Sequence, residues 1–340
     1  MTITIMKRTR ESIDISNDSS SNEMRDMSNL SNVDCVRRLI REHDNELSTY
    51  DGKLLKIGNE IASGGFGSVM YLDNYPNKVI VKISPIRSDI DDNGVMKELS
   101  FYDKMKSSDY IPKFFGGGCI MSKTSKIPFY GYIVLERFSH DFSTFRRVVN
   151  SVTERDLNLV CRSVVRALRF CHDIGISHGD VNSQNVLINH DDGVIDRVVL
   201  TDFGLAETFK DTNGTHVEYK KDPSNIIGSR TYMSVDAHRG VICSRRSDME
   251  SFGYSLISWC GGLLPWKRSV GINLRDTYSE KIYHTCKSIW VDKCFRDKVV
   301  SELNISKAIN YFNIIDFTHS PDSYESVPDY DAIIDIFKDV

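Results

Sequence analysis

The sequence predicts an α+β protein of two unequal lobes, a small β-rich one followed by a larger, mainly helical one. Two observations carry this. Short runs rich in valine and isoleucine, punctuated by glycine, fill residues 54–138, whereas apolar residues at i, i+3, i+4 and i+7 govern the segments after residue 150. With 340 residues the chain is long enough for two packed lobes, and its 40% hydrophobic and 26% charged content is that of an ordinary globular protein.

Residues 1–48 read as a disordered tail. SNDSSSNEMRDMSNLSN (16–32) is rich in Ser, Asn and Asp, and such a segment buries too little apolar surface to offset its ordering entropy. Within the tail, VRRLIREH (36–43) permits a short helix. From residue 52 the pattern changes. LLKIGNEIA (54–62) and GSVMYLD (67–73) flank a glycine cluster as two hairpin strands would, and KVIVKIS (78–84) is a compact Val/Ile strand. NGVMKELSFYDKMKS (93–107) sets Val95, Leu99, Tyr102 and Met105 at helical spacing, and YGYIVLERF (130–138) is a further strand. In 151–172, Leu157, Val160, Cys161, Val164, Val165 and Leu168 predict a helix opened by a Ser151-x-x-Glu154 capping box. SDMESFGYSLISWCGG (247–262) is apolar nearly all round, as a helix at the centre of a lobe would be.

The bulk numbers exclude several functions. A net charge of −4 supplies no basic field for nucleic acid or an anionic membrane. The eight cysteines form no C-x-x-C pair and several fall in apolar periodic segments, so they are expected to be reduced thiols of a cytoplasmic protein rather than zinc ligands. No run reaches the roughly 18 apolar residues of a membrane span. MTITIMKRTRESIDIS at the N-terminus lacks the apolar core and cleavage site of a secretion signal.

The residues that interrupt the apolar runs carry the chemistry. IASGGFGSV (61–69) sets three glycines between two strands, where backbone N–H groups can approach phosphate oxygens; a plain hairpin turn explains it equally well. Lys82 stands inside a Val/Ile strand, where an ammonium is rarely buried unless paired, though a strand with one wet face would also accept it. Glu98, in the helical segment that follows, could supply the partner. Further on, ISHGDVNSQNVLI (176–188) brings His178, Asp180 and Asn185 together, and LTDFGLA (200–206) carries Asp202.

Glycine loop, strand lysine, helix glutamate, Asp-x4-Asn and Asp-Phe-Gly, in this order and each on suitable local structure, resemble the signature set of the protein kinases. HGD (178–180), where most kinases carry His-Arg-Asp, narrows the resemblance. So do GSRTYMSVDAH (228–238), SRRSDMESFGYSLISWCGGLLPW (244–266), DKCF (292–295) and YFNIIDFTHSPDSYESVPDYDAIIDIF (311–337). These are similar to the vaccinia-related kinases, a branch near the casein kinase group that includes poxvirus enzymes. Scarce alanine beside abundant Ile, Asn and Lys resembles translation from an AT-rich genome and suits a poxvirus-encoded member.

The resemblance implies a two-lobed protein-kinase fold over residues 49–340, with a small lobe at about 49–138 and a large one at about 139–340. It implies a serine/threonine protein kinase that uses ATP and Mg²⁺. The backbone of Ile61, Ala62, Ser63, Gly64, Gly65, Phe66, Gly67, Ser68 and Val69 would cover the phosphates, with Phe66 at the loop tip. Lys82 would contact the α- and β-phosphates, held by Glu98. Glu136, Arg137 and Phe138 would bond adenine through the backbone. Asp180 would take or orient the proton of the substrate hydroxyl, and Asn185 and Asp202 would bind the metal. His178 would brace the loop, and Asp248 would anchor its backbone. The implied partners are protein substrates, by family habit chromatin- or DNA-associated ones, with no direct binding of nucleic acid or membrane and with action in the host-cell cytoplasm.

Two positions depart from the family pattern. Ala62 replaces a loop glycine. Asn182 replaces a lysine that touches the γ-phosphate, and loss of one cation there could cost roughly 10²–10³ in rate unless another Lys or Arg substitutes. Asn182 therefore keeps a rival reading open, a pseudokinase that binds nucleotide or a partner without useful catalysis.

Overall fold

The structure, a computed structural model, describes residues 30–49, 52–65, 67–75, 78–86, 94–106, 108–121, 128–149, 152–260, 264 and 324–338. The chain divides into two compact units, residues 1–107 with 112–137, and residues 108–111 with 138–340.

The N-terminal unit is built on a six-stranded antiparallel sheet. Its strands are β1 (Glu46–Ser48), β2 (Leu54–Gly64), β3 (Gly67–Leu72), β4 (Val79–Pro85), β5 (Phe114–Met121) and β6 (Pro128–Glu136), in the order β1-β2-β3-β4-β6-β5. Alternation along β4 decides what each face holds. Val81 lies opposite Met70 and Val134, and Lys82 lies opposite Val69 and Ile133, so Val79, Val81 and Ile83 share one face and Lys82 points from the other.

The first face is covered by helix α1 (Asn32–Glu42), which buries Cys35, Val36, Leu39 and Ile40 against Leu55, Met70, Leu72, Val81 and Ile83. This corrects the reading of residues 1–48 as a disordered tail: from residue 31 to 48 the segment is capped, helical and then paired in the sheet. The Ser31 hydroxyl accepts from the Asp34 N–H at 3.1 Å, which opens the helix four residues before the 36–43 stretch that the sequence permits. Positions 35, 36, 39 and 40 form one apolar stripe, and each such side chain gains roughly 1.5–3 kcal/mol on full burial. That outweighs the polar residues on the outer face. Residues 1–29 of the expected tail lie outside the described residues.

Helix α2 (Val95–Met105) follows β4 and buries Val95, Leu99, Tyr102 and Met105, the four positions read from its spacing.

The C-terminal unit is mainly helical. Its core joins α4 (Glu154–Asp173) to α6 (Arg245–Trp259) and α7 (Tyr330–Ile336), with Val160, Cys161, Val164, Val165 and Leu168 packed among Met249, Phe252, Leu256 and Ile333. The capping box of α4 is formed by Thr153 and Asp156, two residues past the expected pair; Ser151 lies outside the described residues. Aspartate at this position answers the cap as glutamate does, and Thr153 supplies the hydroxyl. Helix α6 is buried at all but Ser258, so it can only be a central helix. Helices α3 (Phe142–Val148) and α5 (Val235–His238), the sheet β10-β9-β7 (Val194–Leu200, Val186–Asp191, His140–Asp141) and the pair β8 (Ile176–Ser177) and β11 (Glu207–Thr208) complete it. The DKCF stretch and residues 311–323 fall outside the described residues. Among the described residues no helix is long and apolar enough to cross a membrane.

Candidate active site

In the N-terminal unit, β2 and β3 close on the glycine cluster through the pairs Ala62–Val69, Ser63–Ser68 and Gly64–Gly67. Gly67 is required by packing: its φ is +107°, and a Cβ there would stand 2.2 Å from the Ile83 carbonyl oxygen. Gly64 and Gly65 differ, because a Cβ on either would meet nothing within 4 Å. No neighbour demands glycine there, and the side on which a Cβ would stand is open. Ala62 pairs with Val69 just after a register shift from Glu60 and has no left-handed φ, so its backbone conformation does not require glycine. Ile61 is exposed, and Phe66 lies outside the described residues.

On the face of β4 away from α1, the Lys82 ammonium lies 2.7 Å from the Glu98 carboxylate, with side-chain exposures of 11% and 2%. Glu98 occupies the first turn of α2, where the helix dipole favours an anion. At the end of β6 the Glu136 N–H donates to the Lys113 carbonyl (2.9 Å) and the Arg137 N–H to that of Lys78 (3.0 Å), so both N–H groups serve the sheet.

The C-terminal unit presents Phe138, buried with the Arg197 guanidinium 5.3 Å from its ring centre, and an irregular loop from His178 to Asn185. The loop hangs from Asp248, which is 1% exposed. Its carboxylate accepts from the N–H groups of His178 (2.7 Å) and Gly179 (2.8 Å) and meets His172 Nε2 at 2.9 Å; His172 Nδ1 meets the Tyr330 hydroxyl at 2.6 Å. His178 is a buried brace: Nε2 lies 2.8 Å from the Thr201 carbonyl and Nδ1 accepts from the Asp180 N–H (3.2 Å). Gly179 explains the missing arginine of this motif. Its φ is +78°, and a Cβ there would stand 2.6 Å from the Leu205 carbonyl oxygen.

Asp180 accepts from Asn185 Nδ2 (3.1 Å) and from the Ser229 N–H (3.3 Å). Burial pushes its pKa above the usual carboxylate range, and the Asp202 charge adds in the same direction. Asp202 itself has φ 63° and ψ 74°, a strained conformation for a non-glycine residue of the kind found at functional sites. Next to it Phe203 is fully buried, with its ring centre 4.9 Å from that of His178. The structure thus brings together Asp180, Asn185, Asp202 and His178 in one unit, and Lys82, Glu98 and the glycine hairpin in the other. Sequence reasoning missed Ser229, His172 and Tyr330. Ser229 acts through its backbone, which no residue type announces, and the other two lie 76 and 82 residues from Asp248 in the chain.

A model of the protein kinase domain matches residues 55–307. A fowlpox virus (strain NVSL) protein named "Probable serine/threonine-protein kinase FPV226" is 31% identical over 295 residues, covering 83% of this chain and 94% of that one. The monkeypox virus B1 kinase is 30% identical over 225 residues, 62% of this chain and 71% of the relative. Among solved structures, that of vaccinia related kinase 3 superposes with a TM-score of 0.67 at 21% identity, covering 86% of this chain and 88% of the other, a likeness of fold.

Proposed function

The chain belongs to the protein kinase family, within the vaccinia-related branch that holds the poxvirus kinases, and we propose that it moves the γ-phosphoryl group of ATP to serine or threonine hydroxyls of proteins. The observation that carries this is the setting of Asp180. Its carboxylate is oriented by an amide and a backbone N–H, and its raised pKa makes it a better proton acceptor than an exposed aspartate.

In this reading Asp180 orients the attacking hydroxyl and takes its proton as the oxygen–phosphorus bond forms and the bond to the leaving ADP breaks. Lys82 meets the α- and β-phosphates, with Glu98 offsetting the cost of burying its charge. The hairpin backbone of residues 61–69 would cover the phosphates. The Glu136 carbonyl and the Phe138 N–H serve adenine, since the N–H groups of Glu136 and Arg137 are already given to the sheet.

The residues present fit Mg²⁺. Asn185 gives its amide nitrogen to Asp180, which leaves Oδ1 as a hard oxygen donor, and the Asp202 carboxylate would be the second ligand. The repulsion between Asp202 and Asp180 is what a dication relieves. Bound Mg²⁺ neutralises charge on the phosphoryl group in transfer. Residues 228–238 receive the substrate peptide, and chromatin- or DNA-associated proteins are the substrate class we favour by likeness to the branch. Action in the cytoplasm of the host cell suits the six free thiols among the described residues.

The full chain, incubated with Mg²⁺, labelled ATP and a generic basic protein, should yield phosphoserine or phosphothreonine. No transfer to any protein, and no autophosphorylation, would leave the chain a pseudokinase.

A further inference from the structure

Asn182 stands where the likeness to protein kinases leads one to expect a lysine, and its amide is already committed inside the loop. It is 5% exposed. Nδ2 donates to the Asp180 carbonyl at 3.1 Å, and Oδ1 accepts from the Gln184 N–H at 2.9 Å. The surrounding backbone is equally engaged. The Asp180 carbonyl takes a second bond from Asn185 Nδ2 (2.8 Å), and the Val181 carbonyl takes one from the Ser255 hydroxyl (2.8 Å). The Asn182 carbonyl accepts from the Asn185 N–H (3.1 Å), and that of Ser183 from the Ser143 N–H (3.1 Å). Asn182 closes an Asx turn that joins the proton-accepting residue to the metal-binding one.

We propose that Asn182 is a positioning residue, which fixes Asp180 and Asn185 relative to each other and makes no contact with the phosphates of ATP. This rests on the kinase reading of Asp180. Turning the amide towards a phosphate would break both bonds at a buried position, where unmade hydrogen bonds are costly. A lysine at 182 offers no acceptor to the Gln184 N–H and brings an ammonium into a place that is almost closed to water. Restoring the family residue should therefore slow this enzyme.

The two roles rank variants in opposite orders. We would measure kcat and KM for ATP in the full chain carrying Asn182→Asp, Asn182→Ser, Asn182→Ala or Asn182→Lys. Asp and Ser keep an acceptor for Gln184 and should lose about tenfold in kcat or less. Ala and Lys should lose about 10- to 100-fold, with KM for ATP within about twofold of wild type throughout. If Asn182 instead contacts phosphate, Lys will be fastest, Asp slowest and KM for ATP will rise; that order overturns the proposal. Hydrogen exchange at the Gln184 amide reads the turn whether or not phosphoryl transfer occurs. Faster exchange in Asn182→Ala than in Asn182→Ser supports the positioning role, and equal rates overturn it. A wild type that transfers nothing speaks against the kinase reading alone.

Discussion

In the N-terminal unit the carboxylate of Glu98 meets a cation at 2.7 Å, and both partners ride on regular elements, a strand and a helix. In the C-terminal unit the carboxylate of Asp180 is held by an amide and a backbone N–H on an irregular loop, where burial raises its pKa and a second carboxylate, Asp202, adds to the rise. The first arrangement neutralises charge and needs only that two elements pack. The second holds a carboxylate on irregular backbone, and it needs a scaffold of buried hydrogen-bonding groups and Asp248 to keep that backbone in place. In the proposed function the first serves binding and the second proton transfer.

The largest effect on stability should come from splitting the ion pair. Lys82→Ala leaves the Glu98 carboxylate buried without its cation and should cost about 3–5 kcal/mol in chemical denaturation. Lys82→Ala with Glu98→Ala should cost less than Lys82→Ala alone, since no buried charge is left over. A double variant as unstable as the sum of the two singles would mean that the two side chains are not coupled.

A smaller effect of opposite sign is expected at Asp180. Below the ordinary carboxylate range, folded and unfolded chains both carry the proton and the site costs nothing. As the pH rises the unfolded chain ionises first, and the folded state loses stability until Asp180 has ionised too. Asp180→Asn removes that loss, so its gain in melting temperature should grow from acid towards neutral pH and level off above the raised pKa. A gain confined to acid pH would mean that the shift runs the other way.

The smallest effect lies where α1 reaches the glycine hairpin. Asn32 Nδ2 donates to the Gly65 carbonyl at 2.6 Å, and Arg37 grips the Glu60 carboxylate at 2.7 and 3.1 Å. Both contacts are exposed, so Asn32→Ala with Arg37→Ala should leave the melting temperature nearly unchanged and raise KM for ATP about twofold. A change in kcat instead would mean that α1 acts elsewhere.

The same contrast marks what the sequence could tell. The strands, α2 and the Lys82–Glu98 pair are legible from alternation, helical spacing and the oddity of a lysine in a Val/Ile strand. Asp180, Asn185 and Asp202 are legible only as an ordered set, because their partners are backbone groups and distant side chains such as Asp248. Helix α1 was only partly legible, as the short helix that 36–43 permits, for another reason. Its stripe of four apolar residues sits beside a long polar stretch, and composition averaged over that stretch speaks for disorder. Gly179 and Asn182 looked like losses from a family pattern; the close approach of Leu205 and the turn to Gln184 give each a local reason.

The central claim, that Asp180 serves the substrate hydroxyl while Asp202 serves the metal-bound nucleotide, is tested by one paired measurement. Binding of Mg-ATP and phosphoryl transfer would be measured side by side for wild type, Asp180→Ala and Asp202→Ala. The account predicts transfer in wild type and a loss of at least about 10²- to 10⁴-fold in both variants. It also predicts near-normal Mg-ATP binding in Asp180→Ala and weak binding in Asp202→Ala. Equal binding in the two variants, or transfer that survives Asp180→Ala, would contradict it.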